Sequence, residues 1–271
     1  MGGQAGSKPV VLVTGGAQRI GREIALELAA HGWAVAVHYR TSAAAAAQTV
    51  AALRAAGAPA ASFEADLAVA AECEALVPAV VQGLGRIDAV VNNASLFEYD
   101  NLASFSCEAM ERAWRANTAP AILLARALHA ALGDRPADGP ADGPQAAVVN
   151  LLDQKLWNPN PDHFSYTLSK AALQAATTLL AQALAPRVRV CGVAPGLTLL
   201  SGDMNSAEFA AAHRMTPLQR SSTPQDVARA VRFLLESPAI TGTTLLVDGG
   251  QHLQAQARDV MFLAREPLKD H

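Results

Sequence analysis

The sequence has little of what marks secreted, metal-binding or membrane proteins. Its 271 residues include three cysteines, Cys73, Cys107 and Cys191, which lie far apart and form no CxxC or Cys/His pair at metal-ligand spacing. We therefore expect no disulfide framework and no metal site, and buried roles as small hydrophobic residues for the cysteines. No apolar run reaches about 18 residues, and the N-terminal stretch MGGQAGSKP lacks the apolar core of a signal peptide. These absences predict a protein of the reducing cytoplasm with no membrane span.

Charged residues are also few, at 17% of the chain, and they nearly balance to a net charge of −3. Proteins that bind nucleic acid or anionic membranes usually carry an excess of lysine and arginine, so neither partner is expected. Hydrophobic residues make up 51% of the chain, which is ample for a large core. The length suits one α/β domain or two small ones.

Short apolar runs alternate with helical patterns through most of the chain. An apolar run bounded by turn residues predicts a buried strand, and apolar residues three and four apart predict a helix. The predicted strands are 9–14, 33–39, 60–64, 89–91, 146–152, 188–193 and 243–247. The predicted helices include 43–57, 70–84, a long one at 106–132, a short one near 206–213, and 224–236.

The turn after the first strand is rich in glycine. It runs Gly15-Gly16-Ala17-Gln18-Arg19-Ile20-Gly21 and leads into a helical pattern that ends at Gly32. Glycines allow a tight turn and close approach of a pyrophosphate, while the helix start offers free N–H groups and a positive dipole end. With a strand before it and a helix after it, the motif predicts a dinucleotide site. The alternative is a tight strand-to-helix turn that holds no ligand.

The end of the second strand bears on the choice of cofactor. Sites that prefer NAD usually carry Asp or Glu about 20 residues past the glycines, where the carboxylate binds the ribose 2′-hydroxyl. Here the segment reads His38-Tyr39-Arg40-Thr41-Ser42, with no carboxylate. Arg40 and the two hydroxyls suit a 2′-phosphate, and Arg19 adds positive charge near the phosphates. The sequence favours NADP(H), the alternative being that Arg40 is only a solvated loop residue.

Three ionisable residues form the candidate catalytic group. Tyr166 and Lys170 are four residues apart in a predicted helix, so they share one face. The lysine is expected to lower the pKa of the tyrosine and make it a proton donor at neutral pH. Asp153 ends the fifth strand, and α/β proteins bind ligands at the carboxyl ends of parallel strands. The alternatives are an exposed ring beside a solvated lysine, and a buried acid that only orders the start of the helix.

Three further features are candidates for a role in the site. The small and amide residues of Asn92-Asn93-Ala94-Ser95 would let a nicotinamide ribose approach the backbone. Phe97 is placed either to stack on a flat ligand or to anchor its loop on the core. Asn117 is polar within an otherwise apolar helix face and needs a partner, for which a water link to the lysine is one option.

Three segments are less regular. Residues 199–222 are polar and poorly periodic, and they are a candidate substrate lid. Residues 133–145 contain Ala-Asp-Gly-Pro twice in tandem and predict an exposed loop, to which we assign no function. Residues 251–271 form a tail that could pack at a subunit interface.

Taken in order, the motifs resemble those of the short-chain dehydrogenase/reductase family across about residues 8–252. They are TGxxxxxG at 14–21, Asp66, NNAS at 92–95, Asn117, YxxxK at 166–170 and PG at 195–196. Each is weak alone, but the ordered set is specific. The resemblance implies an α/β fold: one doubly wound Rossmann-type domain over residues 1–271, with a seven-stranded parallel sheet and helices on both faces. It also implies a homotetramer.

The resemblance assigns roles to individual residues. The implied catalytic residues are Asp153, Tyr166, Lys170 and Asn117, with Asn117 supporting a proton relay. The residues implied to hold NADP(H) are Gly15, Arg19, Ile20, Gly21, His38, Tyr39, Arg40, Ser42, Asp66, Leu67, Asn93, Ala94, Ser95, Tyr166, Lys170, Pro195 and Gly196.

Two departures from the general family pattern point to a subgroup. Arg19 replaces the central glycine of the usual TGxxxGxG, and Asp153 replaces the serine expected 13 residues before the tyrosine. Both are the pattern of the pteridine reductases, which the segments TGGAQRIG, HYRTS and NNASLF also resemble. The subgroup implies substrate contacts from Arg19, Ser95, Phe97, Asp153, Tyr166, Leu197 and His213.

The expected activity is NADPH-dependent reduction of a pterin, such as dihydropterin, dihydromonapterin or dihydrofolate. Reducing a ring C=N bond needs hydride at carbon and a proton at nitrogen. A carboxyl group walled by Phe97, Leu156 and Trp157 should have a raised pKa, so Asp153 could deliver that proton directly or through water. The tyrosine and the lysine would replenish it. The alternatives are a general carbonyl reductase or alcohol dehydrogenase, and a non-catalytic NADP(H)-binding protein.

Overall fold

Seven apolar runs form one parallel sheet in the computed structural model, which describes residues 8–133, 146–200 and 204–264. The strands are β1 (Val10–Val13), β2 (Ala34–Tyr39), β3 (Ala60–Glu64), β4 (Ala89–Asn92), β5 (Ala146–Leu151), β6 (Val188–Pro195) and β7 (Thr244–Val247). Their order in the sheet is β3-β2-β1-β4-β5-β6-β7. All seven predicted strands are confirmed to within two residues at each end, as is the doubly wound fold.

Helices cover both faces of this sheet. They are α1 (Arg19–Ala30), α2 (Ala43–Ala55), α3 (Ala70–Leu84), α4 (Cys107–Asn117), α5 (Ala119–Ala131), α6 (Phe164–Leu184), α7 (Ser206–Arg214), α8 (Pro224–Glu236) and α9 (Val260–Leu263). Because side chains alternate across a strand, Val11 and Val13 pack with α1, α2 and α8, whereas Val10 and Leu12 pack with α3 and α5 on the other face. Each such buried side chain contributes about 1.5–3 kcal/mol relative to exposure.

The single helix predicted at 106–132 is wrong, because the structure has two helices there. Helix α4 ends at Asn117 and α5 begins at Ala119, with Pro120 in its first turn. Proline has no N–H to donate and is favoured in the first turn of a helix, where that N–H would have no partner, so Pro120 suits the start of α5. The break places Asn117 at the end of α4, against the loop that follows β4.

Strand β1 is the point at which the sheet order reverses, since it pairs with β2 on one side and β4 on the other. Ligands of open α/β sheets bind outside the carboxyl ends of the strands at such a point. The glycine-rich turn follows β1, Asn93 follows β4 and Asp153 lies just beyond β5. The predicted site residues therefore meet at one edge of the sheet.

The short helix predicted near 206–213 is confirmed as α7. The side chain of Asn205 caps it by accepting the N–H groups of Ala207 and Glu208, each at 2.9 Å. In the tail, a 3₁₀ turn at Gln251–Leu253 precedes α9.

Parts of three predicted segments lie outside the described residues. They are 134–145 of the loop with tandem repeats, 201–203 of the lid, and 265–271 of the tail. Within the part of the chain that the structure describes, no helix combines the length and the apolar character needed to cross a membrane.

Candidate active site

The glycine-rich turn owes its shape to its glycines and to Asn93. Gly15 has a φ of +61°, in the left-handed region that favours glycine. A Cβ on Gly21 would lie 2.6 Å from the Asn93 amide nitrogen and would overlap the carbonyl oxygen of Gly15. The Asn93 side chain donates to the carbonyl oxygens of Thr14 at 2.9 Å and Gly15 at 3.3 Å. The start of α1 therefore faces a tight cradle of the kind that binds a phosphate.

His38 fastens this turn to the neighbouring strands. Its buried ring accepts the N–H of Gly15 at Nδ1 (3.0 Å), and its Nε2 lies 3.0 Å from the carbonyl oxygen of Ala65. The two contacts require the neutral tautomer with its proton on Nε2. Burial also lowers the pKa of His38 below its ordinary value, which favours the same neutral form. His38 thus lines the cleft and supports it.

A cleft of about 440 Å³ opens beside the turn. Its lining includes these predicted cofactor residues: Gly15, Arg19, Ile20, Gly21, His38, Tyr39, Arg40, Ser42, Asp66, Leu67, Asn93, Ala94 and Ser95. Arg40, Thr41 and Ser42 lie at the end of β2, where a cation and hydroxyl groups fit a phosphate better than a bare ribose hydroxyl. The cleft therefore suits NADP(H) by both shape and charge.

Asp153 and Tyr166 are in direct contact at the carboxyl end of β5. The Tyr166 hydroxyl lies 2.8 Å from Asp153 Oδ2, and Asp153 Oδ1 accepts the N–H of Lys155 at 2.8 Å. Burial raises the pKa of the Asp153 carboxyl above its ordinary value, although the contacts with Lys155 and Tyr166 oppose the shift. The raised pKa expected for this acid is confirmed in direction.

The expected lowering of the Tyr166 pKa is wrong for this structure. Burial and the neighbouring Asp153 carboxyl raise the pKa of Tyr166 well above its ordinary value. Lys170 lies on the same helix face, but its Nζ is 5.8 Å from the centre of the Tyr166 ring and donates to the carbonyl oxygen of Leu151 at 2.7 Å. Burial lowers the pKa of Lys170 to about 8. Tyr166 therefore keeps its proton at neutral pH.

Asn117 has protein partners for both ends of its amide. Its Oδ1 accepts the N–H of Leu96 at 2.7 Å and the Ser95 hydroxyl at 3.2 Å. Its Nδ2 donates to the Leu96 carbonyl oxygen at 3.0 Å and to Ser169 Oγ at 2.9 Å. None of these bonds reaches Lys170, so the direct effect of Asn117 is to tie the loop after β4 to helix α6.

A second cavity, of about 220 Å³, adjoins the cleft and contains the acid. Arg19, Ile20, Asn93 and Ser95 line both spaces. Several predicted residues also line the second cavity: Phe97, Asp153, Tyr166, Lys170, Pro195, Gly196 and Leu197. The Phe97 ring packs edge-on against Tyr166 with centroids 4.6 Å apart, which places a second aromatic ring beside Tyr166 in this cavity.

Three residues assigned to this cavity from sequence are not among those that line it. Leu156 and Trp157 lie beyond the acid rather than in the cavity wall, and Trp157 is 37% exposed. His213 packs on Phe209 and accepts the N–H of Ser221 at Nδ1, 3.3 Å away. Further walls of the cavity come from other parts of the chain.

Those walls include residues that the motifs did not identify. Asp259, Val260 and Met261 reach the cavity from the C-terminal tail, and Lys155 reaches it from the 3₁₀ turn Gln154–Leu156 that follows the acid. The tail is far away in sequence and weakly periodic. The sequence does contain one signal for the short helix of the tail. Asp259 is a typical N-cap residue, and an apolar turn, Val-Met-Phe-Leu, follows it.

Comparisons with known proteins agree with this geometry. Residues 15–252 match the family model described as enoyl-(acyl carrier protein) reductase. Pteridine reductase 1 of Leishmania tarentolae is 35% identical over 281 residues, covering 90% of this chain and 96% of that protein. The 3-oxoacyl-(acyl-carrier-protein) reductase of Synechocystis sp. is 32% identical, covering 89% of this chain and 96% of that protein.

A solved structure is also similar along almost the whole chain. FolM alternative dihydrofolate reductase 1 from Brucella canis, in complex with NADP, has a TM-score of 0.84 and 37% identity, covering 94% of this chain and 99% of that one. The family model, the ordered motifs and the shared fold have one explanation: the chain belongs to the short-chain dehydrogenase/reductase family.

Proposed function

We propose that this protein reduces a dihydropterin or dihydrofolate with NADPH. The chain is an NADP-dependent oxidoreductase of the short-chain dehydrogenase/reductase type, related to the pteridine reductases. The observation that carries the pterin proposal is the 2.8 Å contact between Tyr166 and an acid, Asp153, whose pKa burial raises. An acid at that position suits protonation of a ring nitrogen.

The residues present fit the cofactor. The turn at Gly15 and Gly21 would hold the pyrophosphate, Asp66 and Leu67 would face the adenine, and Arg40 would hold the 2′-phosphate. When bound, the reduced nicotinamide supplies hydride to a ring carbon of the pterin. Asn93 lines both the cleft and the second cavity, Lys170 lines the second cavity, and the two would hold the nicotinamide ribose.

The chain's own residues supply the proton. A protonated Asp153 faces the cavity and gives its proton to the ring nitrogen, directly or through one water. The Tyr166 hydroxyl, 2.8 Å from Asp153 Oδ2, would return a proton to the carboxylate as it takes one up from the Lys170 side, so that no phenolate accumulates. Lys170, whose pKa burial lowers to about 8, is the next donor, because it releases a proton more readily than an ordinary lysine.

Phe97 and Arg19 would orient the substrate. Phe97 is 40% exposed and offers a flat apolar surface to a bicyclic ring. Arg19 adopts a left-handed backbone conformation (φ +52°), and its guanidinium donates to the carbonyl oxygen of Leu200 at 2.9 Å, which bridges the turn to the lid. A cation there suits the electron-rich polar edge of a pterin. Ser95 would contact the same edge, and Leu197 would lie against the ring.

The second candidate is reduction of a ketone, favoured by the buried Tyr166 and Lys170. In that reaction the tyrosine itself protonates an oxygen. The raised pKa of Tyr166 argues against it, because the adjacent Asp153 makes the phenol a weaker acid. A non-catalytic NADP(H)-binding role does not account for Asp153, Tyr166 and Lys170 lining one cavity beside the cleft.

The test is NADPH oxidation followed at 340 nm with dihydrobiopterin, dihydrofolate and a panel of ketones. We expect turnover of at least one pterin at a kcat/KM above that for every ketone. Turnover of ketones alone would favour the second candidate. NADPH binding without any turnover would favour the non-catalytic role.

We also propose that the protein works as a homotetramer in the cytoplasm. Leu168 and Leu179, on one side of α6, are 43% and 64% exposed, and Trp114 of α4 is 40% exposed. Exposed apolar residues of this size on adjacent helices suit a subunit interface. All three cysteines are free, as a reducing compartment requires. Light scattering coupled to gel filtration tests the assembly, and Leu179→Glu should reduce the measured mass.

A further inference from the structure

A buried ion pair joins the tail to the turn after the acid. Lys155 Nζ lies 3.0 Å from Asp259 Oδ2, and their side chains are only 4% and 16% exposed. Lys155 and Asp259 are separated by 104 positions in the sequence, so the pair is a long-range tertiary contact. Charges this far from water persist only where each has a partner, so the pair defines where the tail lies.

A second set of contacts holds the same stretch of tail. Oδ2 of the buried Asp162 accepts two hydrogen bonds, one from Arg258 Nε at 2.8 Å and one from the N–H of Asp259 at 2.7 Å. Phe262 packs edge-on against Tyr99, with ring centroids 5.5 Å apart. These contacts lie on both sides of Val260 and Met261, so the two residues cannot move independently of the loop that precedes α6.

Val260 and Met261 form an apolar wall of the cavity that contains Asp153. They also pack with Met204 and Ala212, beside and within the lid helix α7. The tail thus connects the lid to the segment that carries the acid. Asp259 itself faces the same cavity and its charge acts on both Asp153 and Tyr166, as the causes of their raised pKa values show.

We propose that residues 258–263 are the substrate-selecting wall of this enzyme, held in place by the Lys155–Asp259 pair. The proposal rests on the proposed function, because it concerns the same cavity. With the wall in place, the cavity of about 220 Å³ suits a bicyclic ring with a short substituent. A ring that carries a long aryl substituent requires the wall to move. The protein therefore discriminates between pterins by the size of the substituent, and Met261 sets the limit.

The experiment compares kcat/KM for dihydrobiopterin, which has a short substituent, with that for dihydrofolate, which has a long one. Met261→Ala enlarges the cavity with the ion pair intact, and it should shift the ratio about tenfold toward dihydrofolate, the size of a small apolar contact in a specificity pocket. Asp259→Asn keeps an acceptor for the N–H of Met261 but removes the charge, and it should shift the ratio in the same direction.

A double-mutant cycle distinguishes the effect of losing the Lys155–Asp259 ion pair from a general loss of rigidity in the protein. Lys155→Met alone, Asp259→Asn alone and both together should give similar shifts, since either change already breaks the pair. Glu27→Gln breaks a comparable surface pair, Arg232–Glu27 at 2.9 Å, and should leave the ratio unchanged. The Kd for NADPH should stay within about twofold in every variant.

Amide hydrogen exchange gives a readout independent of turnover. Exchange at residues 260–263 should rise at least tenfold in Asp259→Asn, with no rise in strand β1. An unchanged ratio of the two kcat/KM values in Met261→Ala would contradict the proposal that this wall selects the substrate. Unchanged exchange in Asp259→Asn would contradict the proposal that the ion pair holds the wall in place. If the wild-type protein reduces no pterin, the proposed function fails by itself, and a small and a bulky ketone replace the two pterins as probes of the same variants.

Discussion

Replacing Asp153 with asparagine removes one ionisable proton and little else. The asparagine oxygen can still accept the N–H of Lys155, now 2.8 Å from Oδ1, and the amide still faces the Tyr166 hydroxyl. A positioned general acid contributes about 10²–10⁴-fold to a rate. We therefore expect kcat/KM for a dihydropterin to fall about 300-fold, which corresponds to about 3.4 kcal/mol of transition-state stabilisation.

The pH dependence follows from the direction of the shift. Burial raises the pKa of Asp153, so the protonated, active form persists to a higher pH than for a free aspartic acid. In the wild type, kcat/KM should fall as pH rises through this raised pKa, and the asparagine variant should lose that fall. The folded state binds the proton more tightly than the unfolded state, so this group makes stability decrease as pH rises from the unfolded to the folded pKa.

The assay is initial-rate NADPH oxidation between pH 5 and 9, with NADPH affinity measured separately by fluorescence. The Kd for NADPH should change less than about twofold in Asp153→Asn. Urea unfolding at the same pH values checks the predicted change in stability. The reasoning is refuted if the variant keeps the wild-type pH profile, or if its rate and its NADPH affinity fall by the same factor, since the carboxyl would then be structural.

Three further substitutions test the cofactor cleft. Arg40→Ala should weaken NADPH binding about tenfold or more, as expected when a hydrogen bond between charged groups is lost, and leave NADH binding nearly unchanged; equal effects on the two Kd values would reject the 2′-phosphate role. Gly21→Ala should abolish NADPH binding, because its Cβ overlaps the Gly15 carbonyl oxygen; normal affinity would show that the turn adjusts. His38→Leu leaves the Gly15 N–H and the Ala65 carbonyl without partners, and urea unfolding should show a loss of about 2–3 kcal/mol; an unchanged midpoint would contradict this.

The parts of the fold that local sequence determines could be predicted well. Strands buried on both faces appear in the sequence as continuous apolar runs. The backbone geometry of the turn requires glycine at 15 and 21, so these glycines indicate where the cleft lies. At 106–132 periodicity predicts one helix, and the structure has two, with Pro120 in the first turn of the second, a position that favours proline.

The wall that the tail adds to the second cavity could not be predicted, because it depends on long-range contacts. Lys155 and Asp259 are each ordinary surface residue types, and only the folded chain brings them together. The same limit applies to proton affinity. The spacing of Tyr166 and Lys170 predicts that they share one helix face. It does not predict that Lys170 Nζ lies 5.8 Å from the centre of the Tyr166 ring. Nor does it predict the contact between the Tyr166 hydroxyl and Asp153, which reverses the expected shift of the tyrosine pKa.

That reversal bears on which atom the enzyme protonates. An acid beside the phenol raises the pKa of Tyr166 and makes it a poorer donor to a ketone oxygen, which is weakly basic. The ring nitrogen of an imine is more basic than such an oxygen, so a carboxylic acid is a better matched donor to the nitrogen than to the oxygen. In the proposed reaction, aspartate in place of serine at 153 therefore has two effects. It weakens the tyrosine as a donor to oxygen, and it supplies a donor suited to nitrogen.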